Sequence, residues 1–217
     1  MNSKKMLDSL ALDYKKDIYN KFIQIIEKYT LISDGDTIAV EVSMENNVLA
    51  LLNCMRRYQV EEKKKFTMEY FVVIQDSKVD QETNMILEQY KIHNYHIVHK
   101  EDTSNIYSII KEQGCNKVAL PINYTSIVNA TFMTFMQKKE VAKIHPKSET
   151  NHVTGLACIR PLCLIESHVI EQWAKEMEIS SEQAESLFSK VALIDDGFVM
   201  HKANTLPQFH FAVYESV

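Results

Sequence analysis

The sequence predicts an α/β protein: a five-stranded parallel sheet with helices on both faces, followed by a small β extension at the C-terminus. Three observations predict it. Strand-like and helix-like segments alternate along most of the chain, which is the order a parallel sheet with right-handed crossovers requires. The strand-like run Met68–Ile74 (MEYFVVI) is continuously apolar instead of alternating, as expected of a strand covered on both faces. The rhythm changes only near the end, where an Asp-Gly turn and a period-two pattern appear.

Each element follows in order. Ile18, Phe22, Ile25, Ile26 and Tyr29 form one helical stripe, which Asp34-Gly35 ends. Asp36–Val42 (DTIAVEV) reads as the first buried strand and Val48–Tyr58 as the helix after it. Met68–Ile74 is the second strand, and 78–91 returns to helical spacing through Val79, Met85, Ile86 and Tyr90. Tyr95–Val98 is a short third strand. The helix 104–113 follows, closed by Gly114 at a C-terminal cap position. Lys117–Leu120 is the fourth strand, 125–138 a helix, Ala157–Pro161 the fifth strand and Glu166–Met177 the next helix. In the tail, 191–194 and 198–201 read as a hairpin around Asp195-Asp196-Gly197. Phe209, Phe211 and Val213 alternate with polar or smaller neighbours, as a half-buried strand does. The domain division expected from this is 1–180 for the α/β unit and 181–217 for the extension.

Composition narrows the function classes. A chain of 217 residues, 46% hydrophobic and 24% charged, is an ordinary globular one. A net charge of −5 argues against nucleic-acid binding by bulk electrostatics. The four cysteines, Cys54, Cys115, Cys158 and Cys163, are too scattered for a disulfide scaffold, and no apolar run has the length of a membrane span. The charged, periodic N-terminus is unlike a secretory signal, so a reducing cytoplasm is the expected setting, with no membrane partner.

The first strand-to-helix turn, Ser43-Met44-Glu45-Asn46-Asn47, carries the most information. In a parallel α/β protein this is where a phosphate sits on a helix N-terminus. Such loops use glycine so that bare backbone can approach the anion. The chain has four glycines, Gly35, Gly114, Gly155 and Gly197, none of them in this turn.

Four ordered segments carry a resemblance: Tyr29–Ser43, Tyr95–Ile110 (YHIVHKEDTSNIYSII), Val118–Met136, and Ile159–Ile170 (IRPLCLIESHVI). Over roughly residues 10 to 180 they resemble the tRNA 2-thiocytidine-synthesising branch of the PP-loop (N-type ATP pyrophosphatase) superfamily. The resemblance implies a Rossmann-like, HUP-type sheet, ATP with Mg²⁺, an iron–sulfur cluster, attack on the α-phosphate and a tRNA substrate. Residue by residue, most of the family's functional groups are replaced. Ser43 matches the first serine of the SGGxDS loop. Met44 and Glu45 stand at its glycines, Asn46 at the variable position, Asn47 at the aspartate and Val48 at the second serine. In the GHHxDDxxET signature, Pro121, Ile122 and Asn123 stand at Gly-His-His, Thr125 and Ser126 at the paired aspartates, and Asn129-Ala130 at Glu-Thr. The family's cysteine pair has no counterpart; Cys115 lies too late. Glu45 would bring negative charge beside a triphosphate, costing about 1–4 kcal/mol at about 4 Å. Asn47, Thr125 and Ser126 are weaker Mg²⁺ ligands than carboxylates.

The remaining candidates have two readings each. Ser43, Asn46 and Asn47 either hold an anion or cap the following helix. Asn123 and Tyr124 either line a remnant pocket or satisfy a turn. Arg160, at the carboxyl end of a strand, either meets an anion or pairs with Glu166. His93, His96 and His99 alternate across a strand, so joint metal ligation is not expected. Cys158 and Cys163 read as buried thiols. Lys63-Lys64-Lys65 reads as a solvated loop. Lys138, Lys139, Lys143, His145 and Lys147, with Arg56 and Arg57, either form a solvated surface or track an RNA backbone.

The expectation is a degenerate, non-catalytic PP-loop homologue acting as a binding or partner subunit, as a homodimer or a heterodimer with a paralogue. It has no catalytic residues, metal ligands or resident cofactor. Remnant pocket positions are Ser43, Met44, Glu45, Asn46, Asn47, Asn123 and Arg160. The alternatives are an active ATP-dependent tRNA sulfurtransferase, and a sensor of a small, less charged ligand in a cleft made apolar by Met44, Pro121 and Ile122.

Overall fold

The structure, a computed structural model, describes residues 17–62, 64–74, 79–99, 106–138, 140–148, 155–177, 186, 188 and 199–202. The chain opens with helix α1 (17–29), whose stripe of Ile18, Phe22, Ile25 and Ile26 is buried. Gly35, at φ +86°, turns the chain into β1 (Thr37–Val42). The elements then alternate: α2 (Asn46–Glu61), β2 (Thr67–Ile74), α3 (Gln81–Gln89), β3 (His96–His99), α4 (Ile106–Glu112), β4 (Lys117–Ala119) and α5 (Tyr124–Lys138). β5 (Glu140–Lys143), β6 (Ala157–Ile159), α6 (Ser167–Glu176) and β7 (Val199–Lys202) complete the order.

The main sheet has the order β3-β2-β1-β4-β6 and is parallel throughout. This is the doubly wound arrangement expected from the alternation. From β1 the chain winds outward through β2 to β3, then returns to β4 on the other side of β1. The reversal between β1 and β4 is a topological switch point, and there the loops after the two strands part to leave a crevice.

Register fixes what faces what. Glu41, Phe71 and His96 are level on β1, β2 and β3, so they share one face. α2 lies on the other face, where Arg56 Nη1 donates to the hydroxyl of Tyr70 at 3.0 Å. The ring of Phe22 meets Tyr58 edge-on at 5.8 Å, joining α1 to α2 over that face.

One strand was not expected. Glu140–Lys143, read as part of a basic surface stretch, is a strand. It pairs antiparallel with β7, so Val199–Lys202 finds its partner at β5. The proposed hairpin partner 191–194 lies outside the described residues, as do Phe209, Phe211 and Val213. Among the described residues no helix is long and apolar enough to cross a membrane.

Candidate functional site at the switch point

The loop after β1 is tightly bonded within itself. α2 begins at Asn46, two residues earlier than its apolar spacing suggests, so Asn46 and Asn47 lie in its first turn and Glu45 is its N-cap. This corrects the reading of the two asparagines as the caps. The Glu45 carboxylate accepts from the Val48 amide at 2.9 Å through Oε2, and its Oε1 accepts from Asn47 Nδ2 at 2.5 Å. A helix N-terminus attracts an anion through its unsatisfied N–H groups and dipole. Here the anion is the protein's own side chain.

Asn123 completes the arrangement from the other side of the crevice. It is 1% exposed. Its Nδ2 donates to Asn47 Oδ1 at 2.8 Å and to Ser167 Oγ at 2.9 Å, while its Oδ1 accepts from the Ser126 amide at 2.8 Å. One amide therefore caps α5 and ties α2 and α6 together across the switch point. Thr125 Oγ1 accepts from the Ser167 amide at 3.0 Å, so a position where the resembled signature carries an aspartate serves to cap α6. Burial pushes the Glu45 carboxyl above its ordinary range, and the nearby charge of Glu41 adds to this; the bonds from Val48 and Asn47 offset it in part.

Three of the seven expected pocket residues are thus brought together, as a closed network. Glu45, Asn47 and Asn123 bond to one another in series. Met44 packs partly buried against the core. Ser43 Oγ is buried and has no hydrogen-bond partner among the described residues. Arg160 belongs to a different set of contacts. It is 4% exposed, its Nη1 donates to the His145 carbonyl at 2.9 Å, and its amide donates to the Pro146 carbonyl at 2.8 Å. The expected partner Glu166 instead pairs with His168 Nδ1 at 3.1 Å. Arg56 and Arg57 are also engaged within the fold. Arg57 bonds Glu61 at 2.7 Å and lies 3.8 Å over the Tyr19 ring.

The groups implied by the resemblance do not fit these residues. The Glu45 carboxylate holds the Val48 amide that a phosphate would meet at this helix start, with the amide of Asn47 bonded to it and a second acid, Glu41, nearby, a surrounding unsuited to a triphosphate. Among the described residues no group of three or more His, Cys, Asp or Glu comes together to hold a metal. The four cysteines are buried thiols outside any disulfide. Burial pushes the thiols of Cys54, Cys115 and Cys163 up to about 12, which leaves them as thiols at neutral pH. His96 makes a pair with Glu69 Oε2 at 3.0 Å, separate from His93 and His99.

Two features escaped the sequence reading. A cavity of about 110 Å³ lies between α1, α2 and α6, beside Tyr19, Asn53, Cys54 and Trp173, along α2 from the switch point. Glu41, next to last in β1, is a buried acid. The signal for it was present: a lone acid inside an otherwise apolar strand.

No family model matches the chain. It is 26% identical over 188 residues to a tRNA(Ile)-lysidine synthase of Persephonella marina, an alignment covering 75% of this chain and 40% of that protein. The chain therefore spans well under half the length of this curated relative. Its fold is similar to that of the U34-tRNA thiolase NcsA from Methanococcus maripaludis, with TM-score 0.58 and 14% identity, over 82% of this chain and 70% of that one. The sequence likeness points to the PP-loop, or adenine nucleotide alpha hydrolase, superfamily, and the structural one shows the same fold. A looser likeness, with TM-score 0.46 and 13% identity, links 74% of the chain to 57% of Candida glabrata FMN adenylyltransferase.

Proposed function

We propose that this PP-loop chain, akin to tRNA-modifying ATPases, is a binding or partner subunit that does not turn over ATP. The observation that carries the reading is the Glu45 carboxylate on the Val48 amide. It occupies the anion position of α2 with a group of the same sign of charge as a phosphate. The Asn47–Asn123 bond then closes the crevice in which a nucleotide would lie. Opening that crevice means breaking the bond that links the first turn of α2 to the cap residue of α5.

A partner role is supported by α5. From Tyr124 to Gln137 it has no charged residue, and Met133 and Met136 are 54% and 51% exposed. A charge-free face suits a second copy of this chain or a paralogue, since like charges do not meet across it.

Titration calorimetry with ATP and Mg²⁺ tests the reading. The expected result is no saturable heat, and no AMP or pyrophosphate on prolonged incubation. Micromolar ATP binding to the unaltered chain would overturn it.

A second reading is an active tRNA-modifying enzyme, favoured by the similarity to tRNA(Ile)-lysidine synthase. It requires ATP to be converted to AMP in the presence of tRNA and a co-substrate, with the conversion lost in Asn47→Ala. Absence of AMP under those conditions removes it.

A further inference from the structure

The cavity between α1, α2 and α6 has a wall that a packing seam does not ordinarily have. α2 turns Ala50, Asn53, Cys54 and Arg57 toward it, the three-and-four spacing that places residues on one side of a helix. The inward stripe of a packed helix is ordinarily filled by large apolar side chains. Here two of the four are small and two are polar. Ala50 and Cys54 are 1% and 3% exposed, so they lie at the floor, and the missing bulk leaves a space of about 110 Å³. Tyr19 from α1 and Trp173 from α6, both buried, complete the walls. None of the residues of the switch-point network lines it. The walls are nevertheless held by that network, because Asn123 ties Asn47 of α2 to Ser167 of α6.

A wholly apolar cavity stays dry and takes a bare hydrocarbon ring, as one of about 150 Å³ does with benzene. A space of similar scale here limits an occupant to a single ring. This cavity, however, has unused hydrogen-bonding capacity at its edge. Asn53 Nδ2 reaches the Tyr90 hydroxyl only at 3.5 Å, and Asn53 Oδ1 has no partner among the described residues. The Tyr19 hydroxyl is buried and also lacks a partner among the described residues. Buried polar groups are ordinarily satisfied. Arg57 adds no call for an anion. Its Nε bonds Glu61 at 2.7 Å, and its guanidinium lies 3.8 Å from the centre of the Tyr19 ring. An indole wall with a neutral amide at the rim suits an aromatic ring that carries one donor.

We propose that this cavity binds a small uncharged molecule of one aromatic ring bearing a hydroxyl group, the ring against Trp173 and the hydroxyl donating to Asn53 Oδ1. The site lies apart from the crevice in which a nucleotide would sit. It does not depend on the loss of ATP turnover, which calorimetry decides separately.

Trp173 is the one tryptophan of the chain, so its fluorescence reports on this cavity. The test titrates the full chain with phenol and, separately, with benzene. Phenol is expected to change the emission saturably, and benzene to bind about fivefold more weakly. A merely apolar cavity gives the reverse order, because phenol must shed the water on its hydroxyl. Asn53 is partly exposed on a helix, so Asn53→Ala keeps the fold. It is expected to weaken phenol about tenfold and to leave benzene within about twofold. Ala50→Leu fills the space and is expected to abolish both responses. Should that variant not fold, the order of the two probes and Asn53→Ala decide. No saturable response to phenol overturns the proposal. So does benzene binding more tightly than phenol, or a phenol affinity unmoved by Asn53→Ala or by a folded Ala50→Leu.

Discussion

β1 carries an acid near each end, and the two are held in opposite ways. At the amino end Asp36 is 7% exposed and faces Lys117, 6% exposed, at 2.6 Å. Lys117 also donates to the Leu31 carbonyl at 2.8 Å, and Asp36 accepts from the Ser33 amide and from Asn116 Nδ2. Burial alone would push the Asp36 carboxyl up. The bond to Lys117, with those from Ser33 and Asn116, outweighs it and holds the carboxyl below its usual range. At the carboxyl end Glu45 has a backbone amide and an asparagine for partners, and its carboxyl is pushed up. The first acid is compensated by a cation of the fold itself. The second stands where a parallel sheet gathers helix N-termini for a ligand, and it is compensated only in part. The comparison separates an acid that anchors the sheet from one that caps a helix at the switch point.

The largest expected effect comes from breaking the anchored end. Lys117→Met leaves the Asp36 charge buried without its cation, and should cost about 3–5 kcal/mol in urea denaturation at neutral pH. Adding Asp36→Leu should recover most of that, because two well-packed apolar groups replace a buried pair at little cost. A loss under about 1 kcal/mol for the single variant would mean the pair is not the anchor.

At the other end, Asn123→Ala removes the α5 cap and the bridge to Asn47 and Ser167. A loss of about 1–2 kcal/mol is expected from the same measurement. Glu45→Ala should cost about 1 kcal/mol as a lost cap. It should also uncover the anion position. Millimolar phosphate at matched ionic strength should then raise the melting temperature of this variant above any rise in the unaltered chain. Equal rises in both would sink the idea that Glu45 stands in for a ligand.

The smallest expected effect is a difference in pH dependence. The folded-state pKa of Asp36 is depressed, so its contribution is present above its ordinary 3.8 and is lost as pH falls through the folded value. The folded-state pKa of Glu45 is raised. The native state therefore loses stability as pH rises from its ordinary 4.5 through the folded value. Glu45→Gln should gain on the unaltered chain across that upper window, whereas Asp36→Asn should close the gap with it only in acid. Two curves of the same sign would break the contrast.

Much of the fold was legible because it is written in local periodicity. The continuous apolar run of Met68–Ile74 and the helical stripe of Ile18, Phe22, Ile25 and Ile26 both lie where their spacing puts them. β5 was missed because four residues, Glu140–Lys143, carry too little pattern to outweigh the lysines around them, and its strand partner lies far along the chain. Of the site, the absence of glycine from the turn after β1 was legible from its residues alone. Which side chain would take the empty role was not. Three neighbouring residues compete to cap α2, and the start of the helix decides among them.

The sequence by itself determined the alternation of strands and helices, the place of the switch-point loop and the absence of glycine from it, since each depends on residues close in the chain. Only the tertiary structure decided that Asn123 bonds Asn47, that Lys117 answers Asp36, that Arg160 turns to the His145 carbonyl, and that Ser186 and Phe188 close over Glu41. Those pairings join positions 15 to 147 residues apart. A buried polar group takes whichever partner the packed layers deliver, and local spacing carries no record of that delivery.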